Sequence, residues 1–183
     1  MKFEDKVAQL RLKKYKGKET PELLADIAKM TEGESLEYLL GEINFVGAKV
    51  DLSLRPMIPR PETEFWVKQA IEDLLATRRQ FVLRVLDLFS GSGNVGLAVA
   101  KNIPEATVDF IELDPKLKPG VENSIIRNNI KKLRVRVLTG DTWTGAGGKY
   151  DVIFAVPPYV PSSMKEEVMK ELSSEDPLSF FYI

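Results

Sequence analysis

Asp87-Leu88-Phe89-Ser90-Gly91-Ser92-Gly93-Asn94-Val95-Gly96 is the stretch that decides the fold. It follows an apolar run, Phe81 to Leu88, with the composition of a strand. It opens a segment, Asn94 to Asn102, whose apolar residues recur at helical spacing. Gly91, Gly93 and Gly96 satisfy the pattern G-x-G-x-x-G between that strand and that helix. Glycines let a chain turn tightly and come close to a ligand, and a helix amino end favours polar or anionic groups. Tight strand-to-helix turns also use glycine for purely structural reasons, so the pattern needs support from its surroundings.

Downstream, strand and helix composition alternate. Thr107 to Leu113 reads as a strand and Pro115 to Asn129 as a helix that Pro119-Gly120 delays or kinks. Leu133 to Leu138 and Asp151 to Val156 read as two further strands. Such alternation implies an α/β fold, a doubly wound parallel sheet with helices on its faces. Upstream, Thr20 caps a helix with Pro21 in its first position, and Ser35 caps a short helix, Leu36 to Leu40, that Gly41 ends. Short strands around Gly47-Ala48 suggest a hairpin. The three prolines of Pro56-Met57-Ile58-Pro59-Arg60-Pro61 stiffen the chain ahead of a helix running to about Ala76. The reading divides the chain into an appendage, residues 1–55, and a main domain, residues 56–183.

The 183 residues are 44% hydrophobic and 29% charged, with a net charge of −1. That balance suits a globular domain and argues against an extended nucleic-acid footprint, which leaves a basic excess. Lys2, Lys6, Arg11, Lys13, Lys14, Lys16 and Lys18 form a local basic run, read as a solvated helix face. The chain has no Cys and no His. Disulfides, cysteine nucleophiles and the commonest metal ligands are thereby excluded, and no metal site is expected. Chemistry must run on carboxylates, amides, hydroxyls, backbone groups and a cofactor. No signal-peptide core or membrane-length apolar stretch is visible, so the expected location is cytoplasmic.

The glycine pattern alone does not separate a nicotinamide dinucleotide from S-adenosylmethionine. Asp87 tilts the choice. A dinucleotide fold prefers an apolar residue at that strand end, whereas a carboxylate can hold the ammonium of a methionine moiety. Glu112, ending the next strand, stands close to where a ribose-binding acid belongs.

At Leu36-Glu37-Tyr38-Leu39-Leu40-Gly41-Glu42 and Ile58-Pro59-Arg60-Pro61-Glu62-Thr63-Glu64 the sequence resembles the HemK/PrmC family. Members of that family are protein-glutamine methyltransferases that modify the Gly-Gly-Gln tripeptide of peptide-chain release factors. The resemblance runs from about Leu36 to Phe181. It implies S-adenosylmethionine as cofactor and a release factor as protein substrate. By position, Asp87, Gly91 and Gly93 match the methionine-binding loop, Glu112 the ribose acid, and Asp141 the residue beside the adenine amine. Arg60, Glu62 and Thr63 match residues lining the cofactor and substrate cavity.

Val156-Pro157-Pro158-Tyr159 falls where the family carries Asn-Pro-Pro-Tyr. An amide nitrogen is a poor nucleophile, so the enzyme must orient it toward the sulfonium methyl. In the family the Asn oxygen and the following proline carbonyl (here Pro157) accept the two amide N–H bonds, and Tyr159 matches the residue packing over the substrate. This is catalysis by positioning. Val156 accepts nothing, which leaves one substrate donor unpaired at a cost of ~1–3 kcal/mol. Binding is therefore expected to survive better than turnover. The chain also stops soon after its fourth strand, Asp151 to Val156, which leaves that strand at an open sheet edge. Two rival readings follow: an adenine-N6 methyltransferase on nucleic acid, and an inactive cofactor-binding interaction module.

Overall fold

The computed structural model describes residues 1–77, 82–141, 146–158, 160–161, 163 and 181–182. Helices α1 (Phe3–Lys13), α2 (Pro21–Thr31) and α3 (Leu36–Leu40) come first, followed by the hairpin β1 (Glu42–Phe45) and β2 (Ala48–Asp51). Helix α4 (Pro61–Thr77) leads into β3 (Arg84–Leu88), α5 (Asn94–Asn102), β4 (Thr107–Glu112), α6 (Lys118–Arg127), β5 (Val135–Thr139) and β6 (Val152–Ala155). Two residues at Val160–Pro161, β7, pair with Phe181–Tyr182, β8.

The central sheet is parallel, in the order β5-β4-β3-β6. The chain winds outward from β3 to β5, then returns to place β6 on the other side of β3. The carboxyl ends of β3 and β6 thus flank the point where strand order reverses, where open α/β sheets bind ligands. Strand alternation sends Val85, Val108, Phe110, Val135 and Phe154 to one sheet face, in one core with α4, α5 and α6. Leu86, Leu88 and Ile111 face the other way, against Ala146 and Tyr150. Among the described residues, strand β6 is an edge of this sheet, with Ile153 half exposed.

A second apolar cluster, Leu10, Leu23, Met30, Leu36 and Leu39, holds α1, α2 and α3 together. The hairpin belongs to the main core through Phe45, Ala48, Val50 and Leu52. Its free edge is covered by α6. Asn128 donates to the Lys49 carbonyl (2.6 Å) and accepts from the Lys49 N–H (2.9 Å), and Ser124 Oγ accepts from the Asp51 N–H (2.8 Å).

Several element ends differ from the sequence reading. The hairpin turns at Val46-Gly47, not Gly47-Ala48. Val46 takes φ 47°, its N–H donates to Glu64 (2.9 Å), and its carbonyl accepts from Asn102 (2.9 Å). Helix α6 begins at Lys118 because Pro119 is tolerated only in a first turn. The expected strand start at Leu133 is a 3₁₀ turn, Lys132–Arg134, and β5 begins at Val135. There Arg134 donates to the carbonyls of Ala100, Ile103 and Ala106, closing the end of α5. The described part of the expected strand from Phe81 begins at Arg84, where the Asp151 carboxylate accepts the backbone N–H. Phe81 itself lies outside the described residues.

Candidate cofactor and substrate site

Each wall of the site is held by a contact that the local sequence explains. Gly93 caps α5 in the left-handed region, φ 75°, and a Cβ there would sit 2.9 Å from Val121. Gly96 lets α5 lie against β4, since a Cβ would come within 2.4 Å of the Phe110 ring and 3.0 Å of Asp87 Oδ2. That close approach brings the Gly96 N–H onto Asp87 Oδ2 at 2.8 Å.

The Pro-rich run is fixed at both ends. Tyr38 donates to the Pro56 carbonyl (2.8 Å), with the Arg55 guanidinium over the Tyr38 ring. After the run, Trp66 of α4 packs on Phe154 of β6, ring centroids 5.9 Å apart. Glu64 ties the same helix to the hairpin turn. These contacts set Arg60 and Thr63 above the ends of β3 and β6.

A small cavity, open to solvent, lies between them. Arg60, Thr63, Asp87, Gly91 and Val156 all line it. So do Met57, Phe89, Ser90 and Asn94, which the sequence reading did not assign. The left-handed backbone of Phe89 is invisible in sequence, and Met57 and Asn94 carry no motif signal. Gly93 stands behind the cavity as a structural cap. Glu62 is exposed in the first turn of α4, outside the lining, because the helix turns it away from the sheet. Asp141 and Pro157 are exposed and Pro158 half-buried, all outside the lining. Tyr159 lies outside the described residues.

Glu112, half-buried and outside the cavity lining, reaches back to the glycine loop. Its Oε2 accepts from the Gly91 N–H (2.7 Å) and its Oε1 from the Asp114 N–H (3.0 Å). A carboxylate has about four acceptor positions, so two remain for a ligand's hydroxyls. Asp87 is buried, and burial pushes its carboxyl up to about 8, with the Gly96 N–H opposing and the Glu112 charge adding to the rise. Ser90 Oγ is buried with no hydrogen-bond partner among the described residues. Two acids, an unpartnered hydroxyl and Arg60 suit a ligand that carries a positive charge, hydroxyls and a carboxylate together.

Comparison with known proteins bears on the family and the fold. The chain is 35% identical over 158 residues to the release factor glutamine methyltransferase of Thermodesulfovibrio yellowstonii, covering 83% of this chain and 54% of that protein. It is 33% identical over 148 residues to the protein of that name in Streptococcus pneumoniae, covering 79% and 50%. The chain thus spans about half the length of these curated relatives. In fold it is similar to the hMettl16 catalytic domain solved with the MAT2A 3'UTR hairpin 1 (TM-score 0.51, 17% identity, 73% of this chain and 45% of that one). It is also similar to the human methyltransferase 10 domain containing protein (TM-score 0.50, 18% identity, 70% and 63%). The fold is that of the class I methyltransferases, and the sequence resemblance to glutamine methyltransferases stands. Residues 51–179 match the family described as conserved hypothetical protein 95, and the chain belongs to that family.

Proposed function

We propose that the chain transfers a methyl group from S-adenosylmethionine to the glutamine side-chain amide of the Gly-Gly-Gln tripeptide in release factors. The observation that carries this reading is the single cavity shared by Asp87, the glycine loop, Arg60, Thr63 and Val156. When bound, the cofactor supplies the electrophilic methyl. Asp87 would hold its ammonium, Glu112 its ribose hydroxyls and Asp141 the adenine side, while Arg60 and Thr63 close the cavity from above. Residues 56–183 serve as the catalytic unit and residues 1–55 as an appendage whose hairpin completes the core of that unit. The setting is the cytoplasm, where translation terminates. No helix among the described residues is long and apolar enough to cross a membrane.

On the acceptor side, the Pro157 carbonyl would take one amide N–H and Tyr159 would pack on the substrate, with Pro158 stiffening the loop. Val156 cannot take the second N–H. It packs against the main core while lining the cavity, so the loop keeps its shape but lacks an acceptor. This favours retained cofactor binding with slow turnover. The test is methyl incorporation into a release factor by the chain and by Val156→Asn. An acceptor worth ~1–3 kcal/mol should raise turnover roughly ten- to hundredfold with cofactor affinity nearly unchanged. If both proteins bind cofactor and neither transfers methyl, the binding-module reading takes its place.

A further inference from the structure

Phe89 occupies a backbone conformation that a bulky side chain normally avoids. Its φ is 56°, in the left-handed region that glycine enters freely and that a Cβ makes costly. The turn around it is closely tied. Ser90 N–H donates to the Ile111 carbonyl (3.0 Å), and Gly93 N–H donates to the Ser90 carbonyl (2.6 Å). A strained residue inside a closely hydrogen-bonded loop is a reason to ask what its side chain does. Phe89 is not part of the core: the residue is 38% exposed and is one of those lining the cavity. It shares that lining with the Asp87 carboxyl and lies two residues from Gly91, whose N–H holds Glu112. An aromatic side chain that shares a cavity wall with a carboxyl offers a face for a cation, because the ring's negative face attracts positive charge.

We propose that Phe89 is a specificity-determining residue that reads the positive charge on the sulfonium of the bound cofactor. The inference rests on the cofactor reading given above and adds a discrimination to it. The methyl donor carries a cationic sulfur, whereas the demethylated product carries a neutral thioether. A ring that reads charge favours the donor and lets the spent product leave, while an apolar side chain of similar size holds both equally.

The experiment is calorimetric titration of S-adenosylmethionine and S-adenosylhomocysteine into the full chain and into Phe89→Leu. Leucine keeps an apolar side chain and the same Cβ but has no ring face. Donor affinity should fall about three- to tenfold, with product affinity unchanged within about twofold. Phe89→Tyr, which keeps the ring, should retain the ratio of the unmodified chain. A third variant, Phe89→Gly, relieves the backbone and should melt no lower than Phe89→Leu, while losing the same donor preference. Equal weakening of both ligands in Phe89→Leu, or no change in either, overturns the proposal. So does a Phe89→Gly protein that melts well below Phe89→Leu, since the ring would then be a packing element. Failure of the unmodified chain to bind either ligand is a different result and overturns the cofactor reading itself.

Discussion

Replacing Asp87 with Asn should stabilise the fold and weaken the site at once. Asp87 lies at the floor of the cavity, and burial pushes its carboxyl up to about 8, with the nearby Glu112 charge contributing. A folded-state value above the unfolded one means that the folded chain binds the extra proton. Asp87 therefore costs nothing below about pH 4, costs progressively more as pH rises, and reaches its full penalty above about pH 8. At pH 7 the gap between about 8 and the ordinary aspartate value sets a ceiling of about 4 kcal/mol. Local relaxation reduces this to ~1–3 kcal/mol, in line with the measured cost of leaving buried polar groups poorly solvated. Asn keeps an oxygen for the Gly96 N–H, which Asp87 now accepts at 2.8 Å, and removes the charge. Thermal melts at pH 5 and pH 8 should show Asp87→Asn more stable at pH 8, by several degrees for a chain of this size, and much less so at pH 5. Calorimetry on the same protein should show S-adenosylmethionine binding weakened at least tenfold. In the unmodified chain, donor affinity should improve between pH 6 and pH 8, because binding an ammonium must displace the proton, and this dependence should vanish in Asp87→Asn. A variant that melts lower than the parent at pH 8 refutes the reasoning, since the carboxylate would then be contributing stability there.

Other perturbations follow from packing. Gly96→Ala places a Cβ 2.4 Å from the Phe110 ring, so α5 must shift and stability should fall by ~1–3 kcal/mol, read as a lower urea midpoint. Tyr38→Phe leaves the Pro56 carbonyl without its donor and should cost ~1–3 kcal/mol, with a rise in KM as Arg60 and Thr63 lose their anchor. An unchanged KM there would show that α4, held by Trp66 on Phe154, positions those residues alone.

The parts of the fold legible in sequence are those specified locally. Thr20 accepts from the Leu23 N–H and Ser35 from the Tyr38 N–H, so both helix starts follow from capping residues three positions away. Helix α5 runs Asn94–Asn102 as its apolar spacing requires, and the strand alternation yields the parallel sheet. What sequence reading misplaced depends on partners far along the chain. A valine is a poor turn residue, and Val46 turns only because Glu64 and Asn102 hold both of its backbone groups. Arg134 leaves strand geometry to close α5, about thirty residues earlier in the chain. The docking of β2 on α6 joins residues 79 apart and has no local signature.

The site divides in the same way. Asp87, Gly91, Arg60, Thr63 and Val156 belong to recognisable motifs, and they line one cavity. Glu62 belongs to a motif too, but the 3.6-residue helical repeat turns it to solvent. Phe89 and Asn94 emerge only from geometry, because their importance comes from a left-handed φ and from which side of the loop faces the cavity.

The account stands most directly on which ligand the cavity takes. Titration of S-adenosylmethionine into the unmodified chain, beside a nicotinamide dinucleotide and beside the Glu112→Ala variant, measures this. S-adenosylmethionine should bind with one site per chain and weaken at least tenfold on Glu112→Ala, because the ribose fork and the anchor of the Gly91 N–H are lost together. Tighter binding of the dinucleotide, or donor affinity indifferent to Glu112, would contradict the account.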